Sequence, residues 1–236
     1  MFGYGLLPWE YLQGARSWAF PGLVAGLLKL AWSIGLHDPR YYTWFIRSLF
    51  CLLSLGTVYG TYRLALSFRL SRFHAACAAS LLALLTPAIY FAPRAMSENA
   101  SAFLVIFGLL GTLSSSPERR RFILGVSLLC IATFFRLQNV LFVVALLIIL
   151  WARRDWPSMR RAALTCLVWV FLYGFLDRLT WGAWFHSAVV YFRVNFVRAQ
   201  SSTYGEMPIF YYFQTLYHAS GMVFLWMAFV ALWAIR

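Results

Sequence analysis

The sequence predicts an all-α, polytopic membrane helix bundle, and three observations predict it. Of its 236 residues, 62% are hydrophobic and only 11% are charged, too few charges to cover the surface of a soluble domain of this length. Apolar runs approaching the ~20 residues that cross a bilayer recur along the chain. The basic residues fall in short clusters between those runs, as the positive-inside rule describes. Mean hydropathy is +0.72.

The runs cover residues 44–62, 73–91, 100–113, 122–135, 140–151, 162–176 and 219–233, giving about seven transmembrane helices, the shorter runs extending into flanking polar residues. Three loops are strongly basic: residues 63–72, 118–121 and 152–161. Placing all three on the cytoplasmic side requires two crossings between each consecutive pair. Runs 73–91 and 100–113 supply the first pair. Runs 122–135 and 140–151 supply the second, with Arg136-Leu-Gln-Asn139 at the turn; one continuous helix there would leave Arg136 near mid-membrane. The stretch 21–36 does not fit as a further crossing and reads as interfacial or re-entrant. The outer side then holds residues 1–40, 92–99, 136–139 and 177–218. The last of these loops is dense in tryptophan and tyrosine, which suits interfacial helices on the membrane surface.

Composition also excludes readings. The net charge of +13 sits in inter-helix clusters and is not a nucleic-acid footprint. Lys29 is the only lysine among 20 basic residues, a bias that marks no single arginine as functional. Cys51, Cys77, Cys130 and Cys166 lie in apolar segments without metal-ligand spacing, so neither a disulfide framework nor a zinc site is expected. Met1 is followed by no basic stretch of the kind that opens a signal peptide. No internal repeat or linker interrupts the chain, so residues 1–236 read as a single membrane domain. An outer amino-terminal segment with no helix before it, and an end at Arg236 directly after a run, lead to the expectation of a longer protein.

Ionisable groups at membrane depth are costly and mark functional positions. On the predicted outer side they are Glu10, Arg16, Arg94, Glu98, Arg136, Asp177, Arg178, Arg193, Arg198 and Glu206, with His37, His186 and His218. Many arginines against few acids on an aromatic surface suits an anionic lipid headgroup, because guanidinium pairs phosphate in a bidentate way. The bland reading of each arginine is a snorkelling anchor; Asp177 and Arg178 equally read as a helix-end pair. Asn99-Ala-Ser101 is a glycosylation sequon set close to a helix start.

Several stretches together resemble a known family. Asp177-Arg-Leu-Thr-Trp-Gly-Ala-Trp184, Tyr191-Phe-Arg-Val-Asn195-Phe, Ser201-Ser-Thr-Tyr204-Gly and Pro208-Ile-Phe-Tyr-Tyr212 are similar, in order, to the second large outer loop of the α-mannosyltransferases that use dolichyl-phosphate-mannose (glycosyltransferase family 22, Alg9-like, of the GT-C superfamily). Trp9-Glu10-Tyr11 with Arg16-Ser-Trp18 and Pro21 resembles the family's first outer loop, and Arg94-Ala-Met-Ser-Glu98 a stretch that opens a later helix. The matches run from Trp9 to Tyr212. Two departures stand out. The family's acidic motif after its first transmembrane helix, the source of its general base, has no counterpart here, and Trp181 replaces the usual tyrosine before glycine.

The resemblance implies a GT-C-like bundle lacking its first helix and its C-terminal helices, and an inverting transfer of a hexose from a lipid-phosphate-linked sugar donor to a glycan or glycolipid acceptor. The catalytic acid is then unassigned, with Glu10 the candidate. Arg16 is expected near the donor phosphate, and Asp177, Asn195 and Tyr204 frame the outer loop. Arginines stabilise the departing phosphate, so no metal and no cofactor are expected. Localisation follows the organism: the endoplasmic reticulum membrane in a eukaryote, the inner membrane in a bacterium. A transporter or a non-catalytic lipid-binding scaffold is the alternative, against which stand the missing internal repeats and the long aromatic loop.

Overall fold

The computed structural model describes residues 9–113, 118–197 and 207–220, and every regular element among them is helical. In chain order these are α1 (Trp9–Leu12), α2 (Ala19–Ser33), α3 (Pro39–Ser67), α4 (Arg72–Leu84), α5 (Thr86–Phe91), α6 (Ser97–Thr112), α7 (Arg119–Phe135), α8 (Val140–Ala152), α9 (Trp156–Trp181), α10 (His186–Phe192) and α11 (Ile209–Ser220). Beyond its first two residues, which close α11, the run 219–233 lies outside the described residues.

α3 and α9 are each long and apolar enough to cross a membrane, yet only 17% and 22% of their most apolar windows are buried within the bundle. A core helix of a soluble protein hides such a surface. Here Leu52, Leu55, Leu164 and Leu167 are each more than 60% exposed, so the apolar faces require a lipid environment. α2, α4, α6 and α8 are shorter apolar helices.

Caps explain where the long helices start. Asp38 accepts from the Arg40 N–H at 2.7 Å with Pro39 at the first helical position, and Asp155 accepts from the Ser158 N–H at 3.1 Å. Each leaves fewer orphan donors in the first turn, so α3 begins five residues ahead of its apolar run.

The centre of the bundle is the α6–α7 pair. A Cβ on Gly111 would meet the Gly125 Cα at 2.9 Å, and one on Gly125 would meet the Gly108 carbonyl oxygen at 2.8 Å. The two backbones therefore touch along a seam only glycine permits, the small-residue packing common between membrane helices. Around α7, Phe122, Val126 and Leu129 pack with Val143, Leu146 and Leu150 of α8 and Ala162 of α9. Cys130 and Cys166 are free thiols facing each other inside this core at 3.7 Å, whereas Cys77 is exposed on α4. On the other flank α3 packs on α6, where Gly56 and Gly60 leave room for Phe103 and Ile106. α2 lays Phe20 edge-on against Phe50 of α3 and Phe135 of α7. At about 22 Å it is too short to cross a bilayer alone.

Two boundaries differ from the sequence reading. The run 73–91 is not one helix: Leu85 is extended (φ −66°, ψ 119°) between α4 and α5. Pro87 lacks the N–H that would continue the ladder back into α4, and its ring disfavours the helical conformation just before it. The second correction concerns Asp177, expected in the outer loop. α9 runs on to Trp181 and stops at Gly182, whose left-handed conformation (φ 79°) ends the helix, so Asp177 is a helix residue. The turn Arg136–Asn139 is a break as expected. Leu137–Asn139 form one 3-10 turn, secured by the Asn139 amide donating to the Ala132 carbonyl at 2.9 Å.

Candidate functional site

Charged residues collect where α7 ends, α6 begins and α9 ends. Arg16 Nη2 donates to Glu10 Oε1 at 2.7 Å, both side chains about 30% exposed. Glu10 Oε2 makes no hydrogen bond within the described residues. Arg136, on the turn after α7, pairs with Glu98 in the first turn of α6, and Glu98 also accepts from the Ser97 hydroxyl at 2.9 Å. Arg16 and Arg136 line one cleft, which brings the two pairs together. Between them lies a small polar cleft of about 30 Å³, enough for roughly one water, lined by Arg16, Thr133, Arg136, Gln138, Tyr173, Ser187 and Tyr191.

The segment carrying Arg16 is seated on the end of α9. The Trp181 indole N–H donates to the Arg16 carbonyl at 3.3 Å, and the Trp18 ring lies 5.8 Å from the Trp181 ring. Gly14 is left-handed (φ +74°), and a Cβ there would collide with His186; His186 stacks on Trp181 from the other side of the corner. Burial pushes the Tyr11 phenol above its ordinary range, partly offset by the Arg16 guanidinium.

Asp177 does not face this cleft. It is fully buried, and its Oδ2 accepts from the Ser187 N–H at 2.8 Å and the Ser187 hydroxyl at 2.7 Å. With its single proton committed to the carboxylate, Ser187 accepts from the Tyr173 hydroxyl, 2.7 Å away. Asp177 Oδ1 has no partner among the described residues. A sharp corner makes this possible: Phe185 is left-handed (φ 54°), and Trp184 and Phe185 lie over Gly174, where a Cβ would sit 2.8 and 2.7 Å from their rings. Asp177 thus ties α10 to α9 and supports two residues, Tyr173 and Ser187, that line the cleft.

Of the other expected residues, Asn195 donates to the Tyr191 carbonyl at 2.9 Å in the π turn Arg193–Val197, bracing α10 without touching Glu10 or Arg16. Tyr204 lies outside the described residues. The sequon residue Asn99 is engaged in packing: it donates to the Ala92 carbonyl at 2.9 Å and accepts from the Ser54 hydroxyl at 2.8 Å. Ser187 and Tyr173 had no signal in the sequence. Arg136 and Glu98 had one, as charges at helix ends on the same side, but nothing paired them across 38 positions of chain.

A wide apolar groove of about 850 Å³ runs between α3, α4–α5 and α6, lined by residues such as Leu55, Val58, Leu82 and Ile89 and reaching Glu98 and Asn99 at one end. The helices and their exposed apolar faces define the class, a helical membrane protein, in which Glu98 at the end of the groove pairs with Arg136 of the cleft. The chain belongs to the Alg9-like mannosyltransferase family, which it matches over residues 1–236. It is 29% identical over 222 residues to a Yarrowia lipolytica protein named GPI mannosyltransferase 3, covering 90% of this chain and 42% of that protein. The protein of the same name in Drosophila melanogaster is 40% identical over 62 residues, 26% of this chain and 10% of its own length. The chain thus spans less than half the length of the curated relatives it matches. No solved structure matches it.

Proposed function

We propose that this chain forms part of a membrane glycosyltransferase that moves a hexose, by family mannose, from a polyprenyl-phosphate-linked donor to a glycan or glycolipid acceptor. The relatives' name points to an acceptor of the glycosylphosphatidylinositol type. The observation that carries the reading is the polar cleft lined by Arg16 and Arg136, paired to Glu10 and Glu98, with Glu98 also standing at the end of an apolar groove. In an inverting transfer the acceptor oxygen bonds the anomeric carbon, the carbon–oxygen bond to the lipid phosphate breaks, and the hydroxyl proton passes to a carboxylate. Glu10 keeps one oxygen unbonded for such a proton. In this reading Arg16 and Arg136 stabilise the departing phosphate, charge that builds only as the bond breaks. The groove suits an isoprenoid chain. Asp177 near the end of α9 supports the cleft from behind, Asn195 and Tyr204 belong to the segment that follows, and the whole operates with the basic loops on the cytoplasmic side and this cleft on the other.

The test is mannose transfer by membranes carrying the natural protein in which this sequence occurs, supplied with polyprenyl-phosphate mannose and a glycolipid acceptor. Arg16→Lys lowers turnover by about tenfold, because the lysine ammonium cannot reproduce the bidentate contact. Arg69→Lys, in a basic loop, leaves it unchanged. Absence of transfer in the unaltered protein, or equal effects at both sites, overturns the reading.

A further inference from the structure

A second arginine pair lies outside the cleft. Arg47 projects from α3, and Arg94 from the turn after α5, into one open recess of about 700 Å³. Tyr42 and Tyr90 stand beside them, and Val24 and Leu28 of α2 form an apolar wall. Arg94 is held with its guanidinium 3.9 Å from the centre of the Tyr90 ring, which orients it without neutralising it.

No acidic residue among those described pairs with Arg47 or Arg94. Glu10 and Glu98 hold Arg16 and Arg136, Asp38 and Asp155 cap α3 and α9, and Asp177 is bound to Ser187. Glu118 precedes α7 at the end remote from Arg136. Arg47 forms no ion pair or hydrogen bond within the described residues. Unpaired arginines on a membrane-facing recess are costly unless something anionic meets them.

Depth indicates what that is. Arg47 and Arg63 both lie on α3 and are about 24 Å apart along its axis at 1.5 Å per residue. With Arg63 at the basic-loop boundary, Arg47 falls just inside the far edge of a hydrocarbon layer of about 30 Å. That is the level of lipid headgroups and the first acyl carbons, where a guanidinium pair meets a phosphate and Val24 and Leu28 meet methylenes. We propose that this recess binds the ionised headgroup phosphate of a bilayer glycerophospholipid. The site is independent of the transfer reading, since it is read by binding and not by turnover.

The experiment uses the natural protein in which this sequence occurs, purified in a neutral detergent, with retained lipid counted by native mass spectrometry. Phosphatidic acid is compared with diacylglycerol, which lacks the phosphate, with inorganic phosphate and with farnesyl phosphate. Phosphatidic acid is expected to be retained at least about tenfold better than diacylglycerol. Arg47→Gln and Arg94→Gln should each lower that retention about tenfold, and Arg63→Gln, at the other end of α3, should not change it. Equal retention of the two lipids, or an equal loss with Arg63→Gln, overturns the site. Displacement by inorganic phosphate at equal concentration overturns the lipid as its source. Tighter binding of farnesyl phosphate overturns the glycerophospholipid and assigns the recess to a prenyl phosphate.

Discussion

Asp177 carries the sharpest conflict at the scale of single residues. A fully buried carboxylate is expensive, and one of its oxygens has no partner among the described residues. It is tolerated because Ser187 supplies two donors to the other oxygen and passes the contact on to Tyr173. Ser187→Ala removes the hydroxyl that both neighbours use. The expected cost is about 1–3 kcal/mol of unfolding free energy, the usual price of stranding buried polar groups. Chaotrope unfolding in detergent measures it, with Arg178→Ala at an exposed position of the same turn as the control that shifts little. Glu10 and Arg16 were legible in the sequence because charges stand out on an apolar background. Ser187 was not, since a serine at the start of a short helix looks like any cap. Its role depends on the corner at Trp184–Phe185 folding over Gly174.

Among the elements, the α6–α7 seam is the most exacting. Gly125→Ala would place a methyl 2.8 Å from the Gly108 carbonyl oxygen, and backbone on both sides would have to move. Overpacking of this kind costs about 1–3 kcal/mol. Gly26→Ala on α2 meets nothing within 4 Å, and relief of glycine's helix penalty should stabilise by up to about 1 kcal/mol. Opposite shifts in thermal midpoint for the two variants are the expected result. Helix existence was legible from the length of the apolar runs, and the α7–α8 break from the polar turn at Arg136–Asn139. Two boundaries were not. Pro87 was visible, but a proline near the end of an apolar run does not announce that the helix pauses at Leu85. Gly182 was the true stop signal for α9, and the motif beginning at Asp177 drew the boundary five residues too early.

For the whole molecule, the distribution of arginine predicts the orientation. The basic loops after α3, before α7 and after α8 share one side when the chain crosses twice between each consecutive pair. In a variant with its native cysteines replaced, cysteine at Ser115 and cysteine at Ser201 should react with an impermeant maleimide from opposite sides of the membrane. Reaction of both from the same side defeats the arrangement. The helical, apolar character of the chain could be read from the sequence, since hydropathy is additive along the chain. The two ion pairs and the Arg47–Arg94 recess could not, because each depends on which faces of non-adjacent helices turn toward one another.

The glycine seam between α6 and α7 has a bearing on how inherited or engineered variants of this protein would be sorted. Its residues touch neither the cleft nor the recess, so damage there is expected to show as a fall in steady-state abundance, with each surviving molecule working at its normal rate. Damage at Arg16 should show the reverse, full abundance with a slow molecule. A screen that records protein level and specific activity separately would place Gly108, Gly111 and Gly125 on one axis and Arg16 on the other. Variants on the first axis are the ones a folding aid or lower temperature could rescue.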